Sequence, residues 1–234
     1  WKHDNAIFSH TAGPNCWKLV SGERYIREQL KLDNDLPNPP MLCFPPNVFR
    51  QANLDQFTGI VRAIRRRVKT FTKLQTNKQI NCLELYGGVG TIGLNVADLV
   101  SSLTSSDENP YNKECFDLSA ASHIRGKASY VSKNATSMVN SGALKNADVV
   151  IVDPPRKGLE PEVVQALAGE HRPKLLVYVS CGFRAFQRDC ESLSSSRWKL
   201  ESAEGHLLFP GADAIETLAF FVPSSEAPMH DAKP

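Results

Sequence analysis

The stretch LELYGGVGTIGL, residues 83–94, decides the fold class. It combines an apolar run typical of a buried strand, a turn with glycines at positions 87, 88 and 90, and the start of a helical pattern. Glycine lets the backbone approach a ligand closely, and the first N–H groups of a following helix are free to bind one. The run Gly-Gly-Val-Gly lacks the full G-x-G-x-x-G pattern of dinucleotide-binding proteins. Taken alone, the stretch leaves dinucleotide binding and a plain tight turn both open.

After this stretch, short strand-like runs alternate with helical ones. The predicted strand and helix pairs are 80–86 with 91–100, 101–106 with 110–122, 128–132 with a short helix, 147–153 with 160–169, and 174–180 with 183–193. Two last strands, 198–208 and 214–222, follow without a helix between them. Such alternation predicts an α/β fold, with a largely parallel sheet covered by helices on both faces. Ligands of such sheets bind at the carboxyl ends of the strands.

The beginning of the chain has a different character. Residues 1–45 contain short strand-like pieces and the breaker-rich run LPNPP, which indicates the remnant of a β-rich subdomain and a linker. Residues 46–223 are predicted to form the main α/β domain, and residues 224–234 a flexible tail. Because the chain begins with Trp1 and no signal peptide follows, we interpret it as a fragment or a processed chain.

Residues 54–68 are predicted to form an amphipathic helix, because their apolar side chains recur at intervals of three and four. We expect its arginines to lie on the side away from the core. Six basic residues crowd into twelve positions here: Arg62, Arg65, Arg66, Arg67, Lys69 and Lys73. A solvated helix face and a phosphate-binding patch explain this cluster equally well.

Composition limits the class of protein. With 234 residues, 41% of them hydrophobic, the chain can fill the core of one ample domain. Its longest apolar runs fall far short of the ~20 residues of a membrane span, so we expect no membrane partner. The six cysteines lack the paired spacing of zinc sites, so no metal site is predicted, and reduced thiols favour an intracellular protein, cytoplasmic or organellar (chloroplast or mitochondrion). The net charge of +2 hardly separates nucleic-acid binders from other proteins.

Polar residues mark the ends of several predicted strands. Asp107 can bind both hydroxyls of a ribose, and it or its neighbour can equally cap the next helix. Asp153 precedes two prolines, which fix the backbone at the ligand edge. Cys181 lies at the tip of the next strand, on the ligand edge of the sheet, and this position favours a functional thiol. Cys190 lies within the following helix, where its spacing indicates packing. Glu216 interrupts an apolar strand, and its burial would require a partner or a purpose.

Taken in order, these segments resemble the RNA uracil-5 methyltransferase family, over residues 44–222. The motifs that carry the resemblance are FRQAN at 49–53, LELYGGVGT at 83–91, DPPRKG at 153–158, YVSC at 178–181 and LFPGADAIE at 208–216. No single motif is decisive, but the ordered set is specific. The resemblance implies a Rossmann-like class I methyltransferase sheet, mostly parallel and seven-stranded, with helices on both faces.

The resemblance also implies a cofactor and a partner. S-adenosylmethionine is the expected cofactor, RNA (tRNA or rRNA) is the expected partner, and we expect a monomer. The residues that the resemblance assigns to the S-adenosylmethionine site are Gln51, Tyr86, Thr91, Asp107, Asn134 and Asp153.

In the same way, Cys181 matches the family's nucleophile, which adds to carbon 6 of uracil, and Glu216 matches its general base. Since a free cysteine is only slightly ionised at neutral pH, we expect positive charge beside the thiol, with Arg156 and Arg188 as candidates. The target base must leave its stack, which favours a looped or opened RNA.

Three features depart from the family pattern. Gly182 and Phe183 stand where Asn-Pro is usual, Gly211 and Ala212 where His-Thr is frequent, and Asp107 where Glu is usual. Two alternatives follow: methyl transfer to another base position, or an inactive RNA-binding module of the same fold. The family's usual amino-terminal β-barrel and the iron–sulfur cluster of some members have no room in this chain.

Overall fold

The computed structural model describes residues 2–3, 5–13, 16–75, 78–121, 126–212 and 215–224. The strands within these ranges are β1 (Lys2–His3), β2 (Ala6–His10), β3 (Trp17–Gly22), β4 (Ile26–Glu28), β5 (Leu42–Phe44), β6 (Asn81–Leu85), β7 (Ser102–Ser106), β8 (Ala128–Val131), β9 (Val149–Val152), β10 (Leu175–Ser180), β11 (Trp198–His206) and β12 (Glu216–Pro223). The α-helices there are α1 (Leu54–Leu74), α2 (Asn112–Ala121), α3 (Ala135–Asn140), α4 (Pro161–Ala168) and α5 (Phe183–Ser195). The predicted tail lies almost entirely outside the described residues.

Strands β6 to β12 form one sheet, seven-stranded within the described ranges, in the order β11-β12-β10-β9-β6-β7-β8. Neighbouring strands are parallel except at β12, which runs antiparallel to both β10 and β11. The central strands β9 and β10 are buried along their whole length, which their unbroken apolar runs allow. The predicted mostly parallel α/β sheet is confirmed.

Helices cover both faces of this sheet, as predicted. Helices α1 and α2 pack on one face, where Ile64 and Phe116 belong to the same hydrophobic cluster. Helices α3, α4 and α5 pack on the other, where Val163 and Phe186 belong to a second cluster. Each fully buried side chain of this size contributes roughly 1.5–3 kcal/mol to folding, so both layers are needed for stability.

The amino-terminal segment consists of short antiparallel strands. Strands β1, β2 and β3 form one small sheet, and β4 pairs with β5. Ile26 and Phe44 are buried in the same cluster as α1, and the Cys43 N–H donates to Ser119 Oγ of α2 at 3.1 Å. The hydrophobic cluster therefore runs across residue 45, and the division of the chain there stays a prediction.

Residues 91–100 do not form the predicted α-helix. Tight turns occupy the segment up to Val96, and a 3₁₀ helix follows at Ala97–Leu99. The N–H groups of Asn95 and Val96 donate to the carbonyls of Ile92 and Gly93, three residues back, at 3.0 and 3.1 Å, whereas an α-helix uses carbonyls four residues back. The Gly93 N–H donates to the buried carboxylate of Glu84 at 2.6 Å. The segment therefore winds more tightly than an α-helix.

Helix α1 begins at the predicted residue and continues beyond the predicted end, to Leu74. The prediction that its arginines face away from the core is wrong for Arg65, which is fully buried. Its guanidinium donates to Asp35 at 2.7 Å and to Asp98 at 2.6 and 3.0 Å. Arg67 also forms an ion pair, with Glu201 of β11. Part of the basic cluster therefore holds the fold together, which weakens its interpretation as a phosphate-binding patch.

We expect Arg65→Met to lower the free energy of unfolding by about 3 kcal/mol, because it removes the buried cation that binds Asp98 and Asp35, of which Asp35 keeps only a longer ion pair with Lys69. This lies at the lower end for buried ion pairs, since both carboxylates are partly exposed. The measurement is urea denaturation. Arg66→Met is the matched control, because Arg66 is exposed, and its expected change is under about 0.5 kcal/mol. Equal midpoints for the two variants would refute the role of Arg65.

Candidate active site

Cys181 and Glu216 face each other across two antiparallel strands. The last pair in the register of β10 and β12 is Ser180 with Thr217, and Cys181 and Glu216 are the residues that adjoin this pair at the same end. They are close enough for the charge of Glu216 to raise the pKa of the Cys181 thiol. Both side chains are half-buried at the carboxyl edge of the parallel strands. The structure therefore brings the two predicted catalytic residues together.

A third polar side chain extends this row, and the sequence did not indicate it. His206 of β11 pairs with Glu216 of β12, so it stands on the other side of Glu216 from Cys181. Its Nε2 lies 3.5 Å from Glu204 Oε2. The signal was present as a histidine near the end of the predicted strand 198–208, but without the strand order nothing linked it to Glu216.

Four of the predicted cofactor residues line one pocket beside this row: Gln51, Tyr86, Thr91 and Asp153. Gln51 belongs to the segment before α1, which Asn53 holds in place. The Asn53 side chain caps α1 by accepting the Gln56 N–H at 3.1 Å, and it donates to the Leu208 carbonyl at 2.6 Å. The pocket wall is thereby tied to the chain that leads into Glu216.

Glu84 is a second residue that the sequence analysis missed, although it interrupts an apolar strand as Glu216 does. It is buried at the floor of the pocket and accepts hydrogen bonds from Gly93 N and from Ser105 Oγ, both at 2.6 Å. A Cβ atom at Gly87 would lie 2.7 Å from this carboxylate, so glycine there makes room for Glu84. Gly88, by contrast, has open space around the corresponding position. Of these two turn glycines, Gly88 is the one that leaves room for a ligand.

The remaining two predicted cofactor residues do not line this pocket. Asp107 lies next to it and accepts hydrogen bonds from Gly88 N at 3.1 Å and from Asn109 N at 2.9 Å. Asn134 caps α3 by accepting the Ser137 N–H at 2.8 Å. Ribose binding by Asp107 and cofactor binding by Asn134 stay predictions.

The segment after Asp153 is fixed by one buried carboxylate, Asp189 of α5. Its Oδ2 accepts hydrogen bonds from Leu159 N at 2.8 Å and from Tyr178 Oη at 2.7 Å. Arg188 donates to the other oxygen at 2.8 Å, so its charge is already paired. The expectation that Arg188 supports Cys181 therefore lacks support, because its guanidinium serves this structural network.

Electrostatics at the site are dominated by carboxylates. Burial raises the pKa of Asp153 well above its usual range, and the charges of Glu216 and Glu84 raise it further. Burial also raises the pKa of Glu216 and of the Cys181 thiol, and Glu216 and Asp153 add to the latter effect. Arg156 acts in the opposite direction on Cys181 and Glu216. Arg156 thus supplies the positive charge expected beside the thiol. Its effect on the pKa of Cys181 is smaller than the combined effect of burial and the two carboxylates.

A larger depression of about 660 Å³ lies between the start of α4 and the middle of α5. Arg188 lines it, but none of the predicted catalytic or cofactor-binding residues does. Across the described ranges, no group of three His, Cys, Asp or Glu side chains could hold a metal ion. The helices in this part of the chain are too short or too polar to cross a membrane. None of the six cysteines, all of which lie within the described ranges, forms a disulfide bond.

Comparison with known proteins identifies RNA methyltransferases as relatives. An uncharacterized RNA methyltransferase of Protochlamydia amoebophila is 35% identical over 224 residues, which cover 94% of this chain and 54% of the relative. The tRNA (uracil(54)-C(5))-methyltransferase of Pyrococcus horikoshii is 30% identical over 200 residues, 86% of this chain and 43% of the relative. The chain thus spans about half the length of these curated relatives. No protein-family model matches it.

Among solved structures, the tRNA (uracil-54, C5)-methyltransferase of Pyrococcus abyssi in complex with S-adenosyl-L-homocysteine superposes with a TM-score of 0.71. The two are 25% identical, and the match covers 93% of this chain and 51% of that one. The similarity therefore extends over the central sheet and the amino-terminal strands together.

Glu84 generates a prediction about pH. Burial raises its pKa from 4.5 to about 7, so the folded state holds a proton that the unfolded state has lost. Its stabilising contribution is complete below pH 4.5 and is lost as the pH rises to about 7, a change of roughly 3 kcal/mol. In Glu84→Gln the amide oxygen can accept the Gly93 N–H and the amide N–H can donate to Ser105 Oγ, with the direction of that second bond reversed. The amide does not titrate, so the variant should be the more stable protein at pH 8 and similar at pH 5.

The measurement is the free energy of unfolding from urea titrations between pH 4.5 and 8. Glu162→Gln, an exposed change on α4, is the matched control and should follow the parent at every pH. A Glu84→Gln profile parallel to that of the parent would show that the carboxylate does not titrate in this window.

Proposed function

Because the chain belongs to the RNA uracil-5 methyltransferase family, we propose that it transfers a methyl group from S-adenosylmethionine to carbon 5 of a uridine in tRNA or rRNA. The observation that carries the proposal is the placement of Cys181 opposite Glu216, beside a glycine-lined pocket. A nucleophile and a base on one edge are what methylation of this carbon requires, because carbon 5 must first be made electron-rich and then lose its proton.

The chemistry of the pocket fits S-adenosylmethionine. Glu84, Asp153 and Glu216 form a group of carboxylates whose pKa values are raised, so the site would be stabilised by a cationic ligand. A sulfonium is such a cation. Gly88 offers open space for the backbone to approach the ligand. The pocket is narrow, about 50 Å³, and Phe49 at its rim is 76% exposed, so this rim has to move outward for a nucleoside to enter.

When bound, S-adenosylmethionine supplies an electrophilic methyl group. The thiolate of Cys181 forms a bond to carbon 6 of the uracil, and the electron pair of the 5,6 double bond makes carbon 5 nucleophilic. After carbon 5 has taken the methyl group, the Glu216 carboxylate removes its proton. The electron pair of that C–H bond restores the double bond, and the sulfur leaves carbon 6 as a thiolate.

The surroundings of Glu216 favour its proposed role as a base, whereas those of Cys181 oppose its proposed role as a nucleophile. A raised pKa makes Glu216 a stronger base than an exposed glutamate, which favours removal of the carbon 5 proton. The raised pKa of Cys181 opposes thiolate formation, and Arg156 counteracts it. A cation in the pocket would act in the same direction as Arg156. We therefore infer that the thiol becomes reactive when the pocket is occupied.

The covalent step gives the proposal its sharpest test. Incubation with S-adenosylmethionine and unmodified tRNA and rRNA should yield 5-methyluridine for the parent and none for Cys181→Ala. In the Glu216→Gln variant, Cys181 should still add to the base and the methyl group should still be transferred. Without a base to remove the carbon 5 proton, the cysteine sulfur cannot be eliminated from carbon 6. The variant should therefore accumulate a protein–RNA adduct that survives a denaturing gel.

Cys190→Ala is the matched control, because Cys190 is a half-buried thiol of α5 without a proposed role, and it should keep parental activity. Methylation by Cys181→Ala would contradict the covalent route. A methyl group at another atom of the base would favour the alternative of a different base position, and RNA binding without turnover by the parent would favour an inactive module.

A further inference from the structure

The first turn of α5 presents an aromatic ring next to the nucleophile. Phe183 follows Cys181 by two residues, and 57% of its surface is exposed. One helical turn later, Phe186 is buried and fills the core beneath the helix. The two rings are 6.5 Å apart and tilted by 39°, so Phe183 lies above the core rather than in it. A large apolar ring beside a catalytic residue is thus left accessible.

Gly182 sets the position of this ring. A Cβ atom at residue 182 would lie 2.5 Å from the carbonyl oxygen of Arg156, a contact that real side chains do not make. Glycine therefore lets the Arg156 segment lie directly against the start of α5. As a result, the Arg156 backbone and Phe183, the first residue of α5, both adjoin Gly182, the residue that follows Cys181.

A second cation completes the surface. Arg184 is exposed, and within the described ranges no carboxylate or carbonyl group binds its guanidinium. Arg188, one turn further, is by contrast paired with Asp189. An accessible aromatic ring together with an unpaired cation is the combination that binds single-stranded RNA, because bases stack on the ring and phosphates bind the cation.

We propose that Phe183 stacks on the nucleobase next to the target uridine and that Arg184 binds a phosphate of the same strand. The inference rests on the proposed function in one respect, that an RNA base reacts at Cys181. The target uracil would lie against Cys181 and Glu216. The Phe183 ring is therefore available to the adjacent nucleobase of the same strand. Phe183 is thus a substrate-positioning residue, and the strand must be unpaired for its base to reach the ring.

The test measures binding without turnover. Fluorescence anisotropy with a labelled octamer of uridine would compare the parent with Phe183→Leu, Phe183→Trp and Arg184→Gln at several salt concentrations. Phe183→Leu keeps an apolar side chain but removes the ring, so affinity should fall about tenfold with an unchanged salt dependence. Phe183→Trp should retain parental affinity, because the stacking face remains.

Arg184→Gln should act differently, because it removes a phosphate contact. The slope of log affinity against log salt should decrease in magnitude by about 0.7. Leu74→Ala is the control, since Leu74 is 73% exposed at the end of α1, next to the start of β10 and hence at the opposite edge of the sheet. It should leave both affinity and slope unchanged.

Parental affinity of Phe183→Leu, failure of Phe183→Trp to bind better than Phe183→Leu, or absence of octamer binding by the parent would overturn the inference. Because the assay needs no methyl transfer, it separates this inference from the proposed function. A parent that binds the octamer through Phe183 but produces no 5-methyluridine would support the stacking surface and contradict the enzyme.

Discussion

The antiparallel entry of β12 between β10 and β11 is the constraint on which the site depends. In a purely parallel sheet the start of the last strand would lie at the edge away from the ligand. Because β12 is reversed, its first residue, Glu216, lies at the edge where β10 ends in front of Cys181. The same reversal places His206, the last residue of β11, beside Glu216. One strand direction thus brings together three polar side chains that lie far apart in the chain.

The pocket beside this row is built around Glu84. Its buried carboxylate accepts the N–H of Gly93 and the hydroxyl of Ser105, and so holds the turn that lines the pocket. Asn53 ties the opposite wall to the chain that leads to Glu216. The elements that line the pocket and the elements that carry the row are therefore mechanically linked, and a shift of α1 relative to the sheet would affect both.

The sequence predicted the sheet and most of its elements, because unbroken valine and leucine runs and helical periodicity are local signals. Helical periodicity did not distinguish an α-helix from the tighter turns of the run 91–100, where N–H groups bond to carbonyls three residues back. Contacts between distant segments produced the other errors. Arg65 belongs to a basic helix, but its partners Asp35 and Asp98 come from elsewhere in the chain. The same limit applies to Arg188, one of two candidates for a positive charge beside Cys181, which instead pairs with Asp189.

The electrostatics of the site argue for an order of events. Burial raises the pKa of Glu84, Asp153 and Glu216, and the charges of Glu216 and Glu84 also hinder ionisation of Asp153. Burial raises the pKa of the Cys181 thiol, and the charges of Glu216 and Asp153 raise it further. Positive charge placed in the pocket would counteract the carboxylate contribution to the pKa of the thiol. The proposal therefore couples the reactivity of Cys181 to occupancy of the neighbouring pocket.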